Sequence, residues 1–230
     1  MAVEIVCDES GSEGEKLVGG VTAVFAHASV RIGAADAAAC LAELRDRIRS
    51  PAREYKANHL LRPKHRPALL WLLGPDGPVL GNAYVQLVDK RALLLDRLGH
   101  TPAGPLEPHN DALRARGPHG SLDPLFPAIV RAVRHWGDDV VVRHDFHPTL
   151  TPHRIAHLRR AAPGLRELTL LDSRADHRVQ VADFVAGIAR RVAEEESLGR
   201  PDPEVARLLR PYLVGIGPAR PGLPGVAPGR

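Results

Sequence analysis

The sequence predicts one α/β domain in which leading β-strands are followed by alternating strands and helices. Residues 2–8 are rich in β-branched side chains and stop at a Ser-Gly pair, which is typical of a strand. Residues 35–49 place Leu41, Leu44 and Ile48 at helical spacing and precede a Ser-Pro break. The later alternation requires crossover connections, and therefore a partly parallel sheet covered by helices.

The same periodicities predict the remaining elements in order. Two more strands are expected at residues 17–25 and 27–32, which is the spacing of a three-strand meander. The segments that follow are predicted to be a helix at 66–73, a strand at 83–88, a helix at 125–136, a strand at 139–143, a helix at 151–161, a strand at 168–171 and a helix at 179–196.

Two segments lack periodicity. Residues 100–124 are rich in Pro, Gly and His and are expected to form an exposed insertion. Residues 217–230 contain four prolines and four glycines and are expected to be a flexible tail. The predicted organisation is therefore a single domain over residues 1–216, with one insertion.

Composition excludes several classes of protein. The 230 residues include 31 Lys and Arg against 27 Asp and Glu, a formal charge of +4, which permits but does not require a nucleic-acid partner. No apolar run is long enough to span a bilayer, so a membrane protein is not expected, and acidic residues come too early for a signal peptide. Two cysteines are too few for a disulfide framework, and a cytoplasmic location is expected. Aromatic residues make up 4% of the chain, so no stacking platform for single strands is evident.

Acidic residues end several strand-like runs. Asp8, Asp89, Asp145 and Asp172 each follow such a run, and parallel strands would bring their carboxyl ends to one edge of a sheet. Carboxylates crowded together repel one another, and a divalent cation such as Mg²⁺ or Mn²⁺ would stabilise them.

A further carboxylate lies on the last predicted helix. Between residues 179 and 189 every side chain is apolar or small except Gln180 and Asp183, which lie three apart on one stripe. A buried carboxylate there needs a partner, a proton or a metal ion, and a structural ion pair explains it equally well.

Four short motifs together resemble one family. They are Asp8-Glu9-Ser10-Gly11, Glu54-Tyr55-Lys56, Val88-Asp89-Lys90, and Leu171-Asp172-Ser173 followed by Gln180-Val181-Ala182-Asp183. In order and separation they are similar to the domain-of-unknown-function 3800 family, over about residues 2–195. The resemblance implies a ribonuclease H-like fold, and the predicted order of strands and helices agrees with it.

The resemblance also implies a site and a chemistry. Asp8, Glu54 and Asp183 match three members of an acidic set that binds metal, and either Asp145 or Asp89 is the fourth; the order of elements around Asp145 favours Asp145. The implied activity is hydrolysis of DNA or RNA phosphodiester bonds by a two-metal mechanism. Lys56, Gln180 and Arg190 are the expected substrate contacts.

Two other functions remain open from the sequence. A non-catalytic domain that binds nucleic acid or protein is one. A zinc protein is the other, since His144, His147, His153 and His157 are close in sequence and the last two lie four apart on a predicted helix. Arg154 stands where a zinc-protease helix carries Glu, so that motif is absent.

Overall fold

A computed structural model describes residues 2–49, 55–117, 120–172 and 174–213. Its five-stranded sheet has the order β3-β2-β1-β4-β5. The β1–β2 and β2–β3 pairs are antiparallel, and the β1–β4 and β4–β5 pairs are parallel. The strands are β1 (Val3–Ser10), β2 (Val24–Val30), β3 (Ala83–Asp89), β4 (Val140–Asp145) and β5 (Leu165–Leu171). The strand order and the combination of antiparallel and parallel pairs confirm the predicted α/β class with a ribonuclease H-like mixed sheet.

Helices cover both faces of the sheet. In the described residues they are α1 (Ala34–Ile48), α2 (Ala57–Leu60), α3 (Arg66–Leu73), α4 (Lys90–Leu98), α5 (Glu107–Arg116), α6 (Leu125–Trp136), α7 (Pro152–Ala161), α8 (His177–Ser197) and α9 (Pro203–Leu209). One core joins α1, α3 and α8 to the face that carries Val6, and the other joins α6 and α7 to the face that carries Cys7. Within the described ranges no helix has the length and apolar character needed to cross a bilayer.

The strand expected at residues 17–25 is not formed as predicted. Residues 11–23 make a loop, and only Val24 and Phe25 belong to β2. Gly11, Gly14 and Gly19 have positive φ angles, which interrupt an extended chain. The third antiparallel strand is β3, which pairs with β2 in the sheet although α1, α2 and α3 lie between the two strands in sequence.

Parts of the segment 100–124, within its described ranges 100–117 and 120–124, pack against the rest of the domain. It contains α5, and Leu106 and Leu122 pack against Leu17 and Leu94 in a small apolar cluster. The buried side chain of Asn110 accepts a hydrogen bond from the Leu17 amide at 2.7 Å and donates to the Glu15 carbonyl at 3.0 Å. The high Pro and Gly content of this segment gave no indication of these contacts. They hold the 11–23 loop in place. The predicted tail at 217–230 lies outside the described residues.

The helix α8 is the central packing element, and Gly187 lets α2 approach it closely. A Cβ at Gly187 would lie 2.3 Å from the Cβ of Ala57. Gly187 is one turn after Asp183 on the same face of α8. The close contact therefore brings the start of α2, with Lys56, beside Asp183.

Replacing Gly187 by Ala should destabilise the protein by about 1–3 kcal/mol, because the added methyl group overpacks the α2–α8 contact. Elsewhere in a helix the same change stabilises by up to about 1 kcal/mol. Urea unfolding measures the difference, with Glu196→Ala on the same helix as the control. A Gly187→Ala variant as stable as the native chain contradicts the close packing.

Candidate functional site

Asp8 and Asp145 lie side by side at the carboxyl end of the sheet. The parallel register pairs Cys7 with His144, and each aspartate is the next residue along its strand. Side chains alternate along a strand, so Asp8 shares the face of Val6, against which α8 packs. By the same alternation Asp145 lies on the face opposite Val142, which is again the α8 face. The side chain of Asp8 is buried.

Asp183 comes to this place from α8. The helix packs across β1 and β2, and its buried residues surround Asp183 on both sides in sequence. The charge of Asp183 acts on Asp8 and on Glu9, as does the charge of Asp145. Three acidic residues that are far apart in sequence therefore meet at one end of the sheet.

Burial and mutual repulsion raise the pKa values of two carboxyl groups there. Burial raises the pKa of Asp8 to about 9, with further increases from the charges of Glu9, Asp183 and Asp145. Burial likewise raises the pKa of Glu9 to about 8, and the charges of Asp145, Asp123 and Asp183 contribute. Because burial and the neighbouring negative charges both oppose a further charge, ionisation of the Asp8 and Glu9 carboxyl groups is unfavourable.

The predicted substrate contacts occupy three different settings. The ammonium group of Lys56 is half exposed and lies 4.0 Å from a carboxylate oxygen of Asp183. Gln180 is buried on α8, one turn before Asp183. Arg190 donates to the hydroxyl of Ser10 at 2.9 Å and to the carboxylate of Glu194 at 2.5 Å, so its guanidinium group takes part in a partly buried network.

Asp145 and Asp89, the two candidates for the fourth carboxylate, lie in different surroundings. Asp145 raises the pKa of both Asp8 and Glu9. Asp89 is at the end of β3 and caps α4, where its side chain accepts a hydrogen bond from the Ala92 amide at 2.9 Å. The electrostatics thus support Asp145 as the member of the acidic group. Glu54 lies outside the described residues.

The other face of the same strand ends carries a second polar group. Glu9 is opposite His27 in the β1–β2 register, and the rings of His27 and His144 stack at 5.3 Å. The Glu9 carboxylate is 3.9 Å from Nε2 of His144 and 3.6 Å from Nε2 of His147. Burial lowers the pKa of His144 to about 4 and lowers that of His27 well below its ordinary value, so both rings are neutral.

No pattern in the sequence places Glu9, His27, Asp123 and His147 together at this end of the sheet. Because side chains alternate along a strand, the sequence alone predicts that Glu9 and Asp8 point to opposite faces of the sheet. Asp123 lies in the supposed insertion, where it pairs with Arg154 at 2.9 Å and accepts from the hydroxyl of Thr149 at 3.1 Å. That position depends on a long-range contact that no local pattern indicates.

The predicted pair of zinc ligands is not part of this region. His153 and His157 lie on the exposed side of α7, and the ring of His157 contacts Phe126 at 4.7 Å. In the ranges 2–49, 55–117, 120–172 and 174–213, no three His, Cys, Asp or Glu side chains form a ready set of metal ligands.

The donors at the sheet end still match a hard divalent cation in their chemistry. Asp8, Asp145 and Asp183 are carboxylates, whose oxygens suit Mg²⁺ and Mn²⁺. Positive charge placed among these carboxylates would favour their ionised forms, which burial and mutual repulsion disfavour.

Comparison with known proteins shows structural likeness only. No family model matches the chain, and no curated protein matches it significantly. Fourteen chains of solved structures match it. One belongs to the complex of PCNA with RNase HII from Archaeoglobus fulgidus, with a TM-score of 0.43 and 14% identity over 90% of this chain and 87% of that chain. The resemblance to the domain-of-unknown-function 3800 family therefore stays a prediction.

Replacing Asp8 by Asn should stabilise the metal-free protein. Unfolded Asp8 ionises near pH 3.8, whereas folded Asp8 holds its proton until about pH 9, so its contribution to stability falls as pH rises between those values. The Asn variant lacks this penalty, and we expect a gain on the order of a few kcal/mol at pH 8 and a smaller one at pH 5. Urea unfolding in EDTA at both pH values tests this, with the exposed Asp111→Asn as control; a variant less stable than the native chain at pH 8 contradicts it.

The buried histidines should make the protein sensitive to mild acid. The folded pKa values of His27 and His144 are lowered, so the unfolded chain binds protons more readily and stability is lost as pH falls from about 6.5 toward 4. His27→Leu should reduce this loss of stability, and the exposed His153→Ala should not. Thermal melting between pH 7 and 4.5 measures the slopes; equal slopes in all three proteins rule out the role of His27.

Proposed function

We propose that this chain is a divalent-metal-dependent nuclease that hydrolyses phosphodiester bonds of nucleic acid. The observation that carries the proposal is the meeting of Asp8, Asp145 and Asp183 at the carboxyl end of the sheet, where burial, together with the charges of Glu9, Asp183 and Asp145, raises the pKa of Asp8 to about 9. Ionising these carboxyl groups in the folded protein is unfavourable, because burial and their mutual repulsion both oppose the negative charge. Binding of hard cations is the use that an all-carboxylate group serves best.

Asp8, Asp145 and Asp183 are the residues that would hold Mg²⁺ or Mn²⁺, with Glu9 beside them. When bound, two such ions supply an activated water and stabilise the leaving oxygen. Both Asp8 and Asp145 lie on hydrogen-bonded strands, and Asp183 lies on a buried helix. Rigid elements therefore fix the positions from which the carboxylates act.

Lys56 is the residue best placed to receive a phosphate of the substrate. Its ammonium group is half exposed and lies beside Asp183, at the border between the acidic group and solvent. A cation there attracts the backbone of DNA or RNA without reading its sequence. Gln180, one turn from Asp183, is proposed as a further contact. Arg190 serves instead to hold the end of β1 against α8 through Ser10.

Single substitutions test the metal-binding group. Asp8→Asn and Asp183→Asn should each reduce Mn²⁺-dependent cleavage of a labelled oligonucleotide by about 100-fold or more, because metal catalysis contributes several kcal/mol. Mn²⁺ should also raise the melting temperature of the native protein but not of either variant. Full activity in either variant, or melting that does not respond to Mn²⁺ in the native protein, refutes the assignment.

Asp89→Asn is the matched control for Asp145→Asn. Asn caps a helix as well as Asp does, so Asp89→Asn should keep both the fold and the activity. Asp145→Asn should lose activity as Asp8→Asn does. The reverse result would make Asp89 the fourth carboxylate. Salt-sensitive binding of nucleic acid with no cleavage in any divalent metal would instead favour a non-catalytic binding domain.

A further inference from the structure

Phe146 is the one exposed aromatic side chain of this protein. All nine Phe, Trp and Tyr residues lie in the described ranges, and the other eight are buried or half-buried. Both Trp rings are partly covered by arginines, since Arg31 lies over Trp136 and Arg47 over Trp71. The side chain of Phe146 is 67% exposed. Leaving a Phe ring in water forgoes a substantial hydrophobic gain, so its position calls for an explanation.

The backbone that carries the exposed ring borders the acidic group. Phe146 directly follows Asp145, and the two Cα atoms of a trans peptide are about 3.8 Å apart. Apart from Phe146, the exposed large apolar residues among those described are Val21, Leu80 and Leu198, and these are aliphatic. Single exposed apolar residues are common on protein surfaces, but this one adjoins a proposed catalytic residue.

The backbone on both sides of Phe146 is held firmly. Asp145 is paired with Leu171 in the sheet, and its carbonyl accepts a hydrogen bond from His144 at 2.8 Å. His147 is buried, with Nδ1 2.8 Å from the hydroxyl of Thr149 and Nε2 3.2 Å from that of Ser12. The ring is therefore presented from an anchored backbone, as a platform that loses little entropy on binding.

We propose that Phe146 stacks on an unpaired base of the substrate, next to the phosphate that is cleaved, and so directs the enzyme to single-stranded nucleic acid. This inference rests on the proposed nuclease function. A planar ring stacks only on a base whose face is free, and in a duplex neighbouring base pairs cover both faces. Because Phe146 and Asp145 are consecutive residues, we expect the stacked base to belong to a nucleotide close to the phosphate held at the carboxylates.

Binding measured without catalysis tests the stacking. Native protein, Phe146→Ala, Phe146→Trp and the control Leu198→Ala are titrated in EDTA at low salt into a fluorescent single-stranded oligonucleotide. Loss of one base–aromatic stack should weaken binding of Phe146→Ala by about 5- to 150-fold, while Phe146→Trp and Leu198→Ala bind as the native protein does. An oligonucleotide with one abasic position should bind less tightly to the native protein when the gap meets the ring, and equally to Phe146→Ala at all positions.

Cleavage gives a second readout. In Mn²⁺ the native protein should cleave single strands faster than the matching duplex, and Phe146→Ala should lose most of that preference. Equal binding by native protein and Phe146→Ala, with the native preference retained, overturns the stacking while leaving the nuclease intact. Absence of both binding and cleavage in the native protein overturns the proposed function, and the stacking with it. Because the ring is exposed, the variants should melt at the native temperature, which circular dichroism checks.

Discussion

Parallel pairing of β1 with β4 is the interaction on which the rest of this site depends. It places Asp8 beside Asp145 on one face, one residue beyond the Cys7–His144 pair. Once these strands are in register, α8 packs over them and brings Asp183 to the same place. Burial, together with repulsion from the neighbouring carboxylates, raises the pKa of Asp8 far above that of an aspartate in water. The apolar contacts of a long, nearly fully buried helix offset this cost.

Side chains alternate along β1, so the residues at the end of this strand face two different environments. Asp8 and Ser10 face α8, whereas Glu9 faces His27, His144 and His147. The two environments are coupled electrostatically, because the charges of Asp145 and Asp183 raise the pKa of Glu9 as well as that of Asp8. The histidines are neutral in the folded state and so provide no positive charge to balance the carboxylates. A divalent cation would supply positive charge that favours the ionised carboxylates, which is why it is central to the proposed activity.

The loop after β1 is held by contacts from distant parts of the chain. Glu13 accepts hydrogen bonds from the Val21 and Thr22 amides, and the buried ammonium group of Lys90 donates to the hydroxyl of Thr22 at 2.6 Å. In the 100–124 segment, Asn110 holds the same loop through the Leu17 amide. The Val88-Asp89-Lys90 motif thus supports the region beside the site, with Asp89 starting α4 and Lys90 holding the loop. Firm support here also orients His147, through Ser12, and hence the backbone of Phe146.

From the sequence alone one could determine that Asp8 and Asp145 lie near the carboxyl ends of strands and that Asp183 lies on a buried helix, because strand and helix periods are local properties of the chain. The α/β class follows from the same periods. Only the tertiary structure decided which strand is third in the antiparallel run, that Asp89 caps a helix, and that Glu9 meets three histidines. Those outcomes depend on register and on contacts between residues as far apart as Glu9 and His147. Local patterns cannot encode such contacts, since the free energy that selects them comes from burying whole faces against one another.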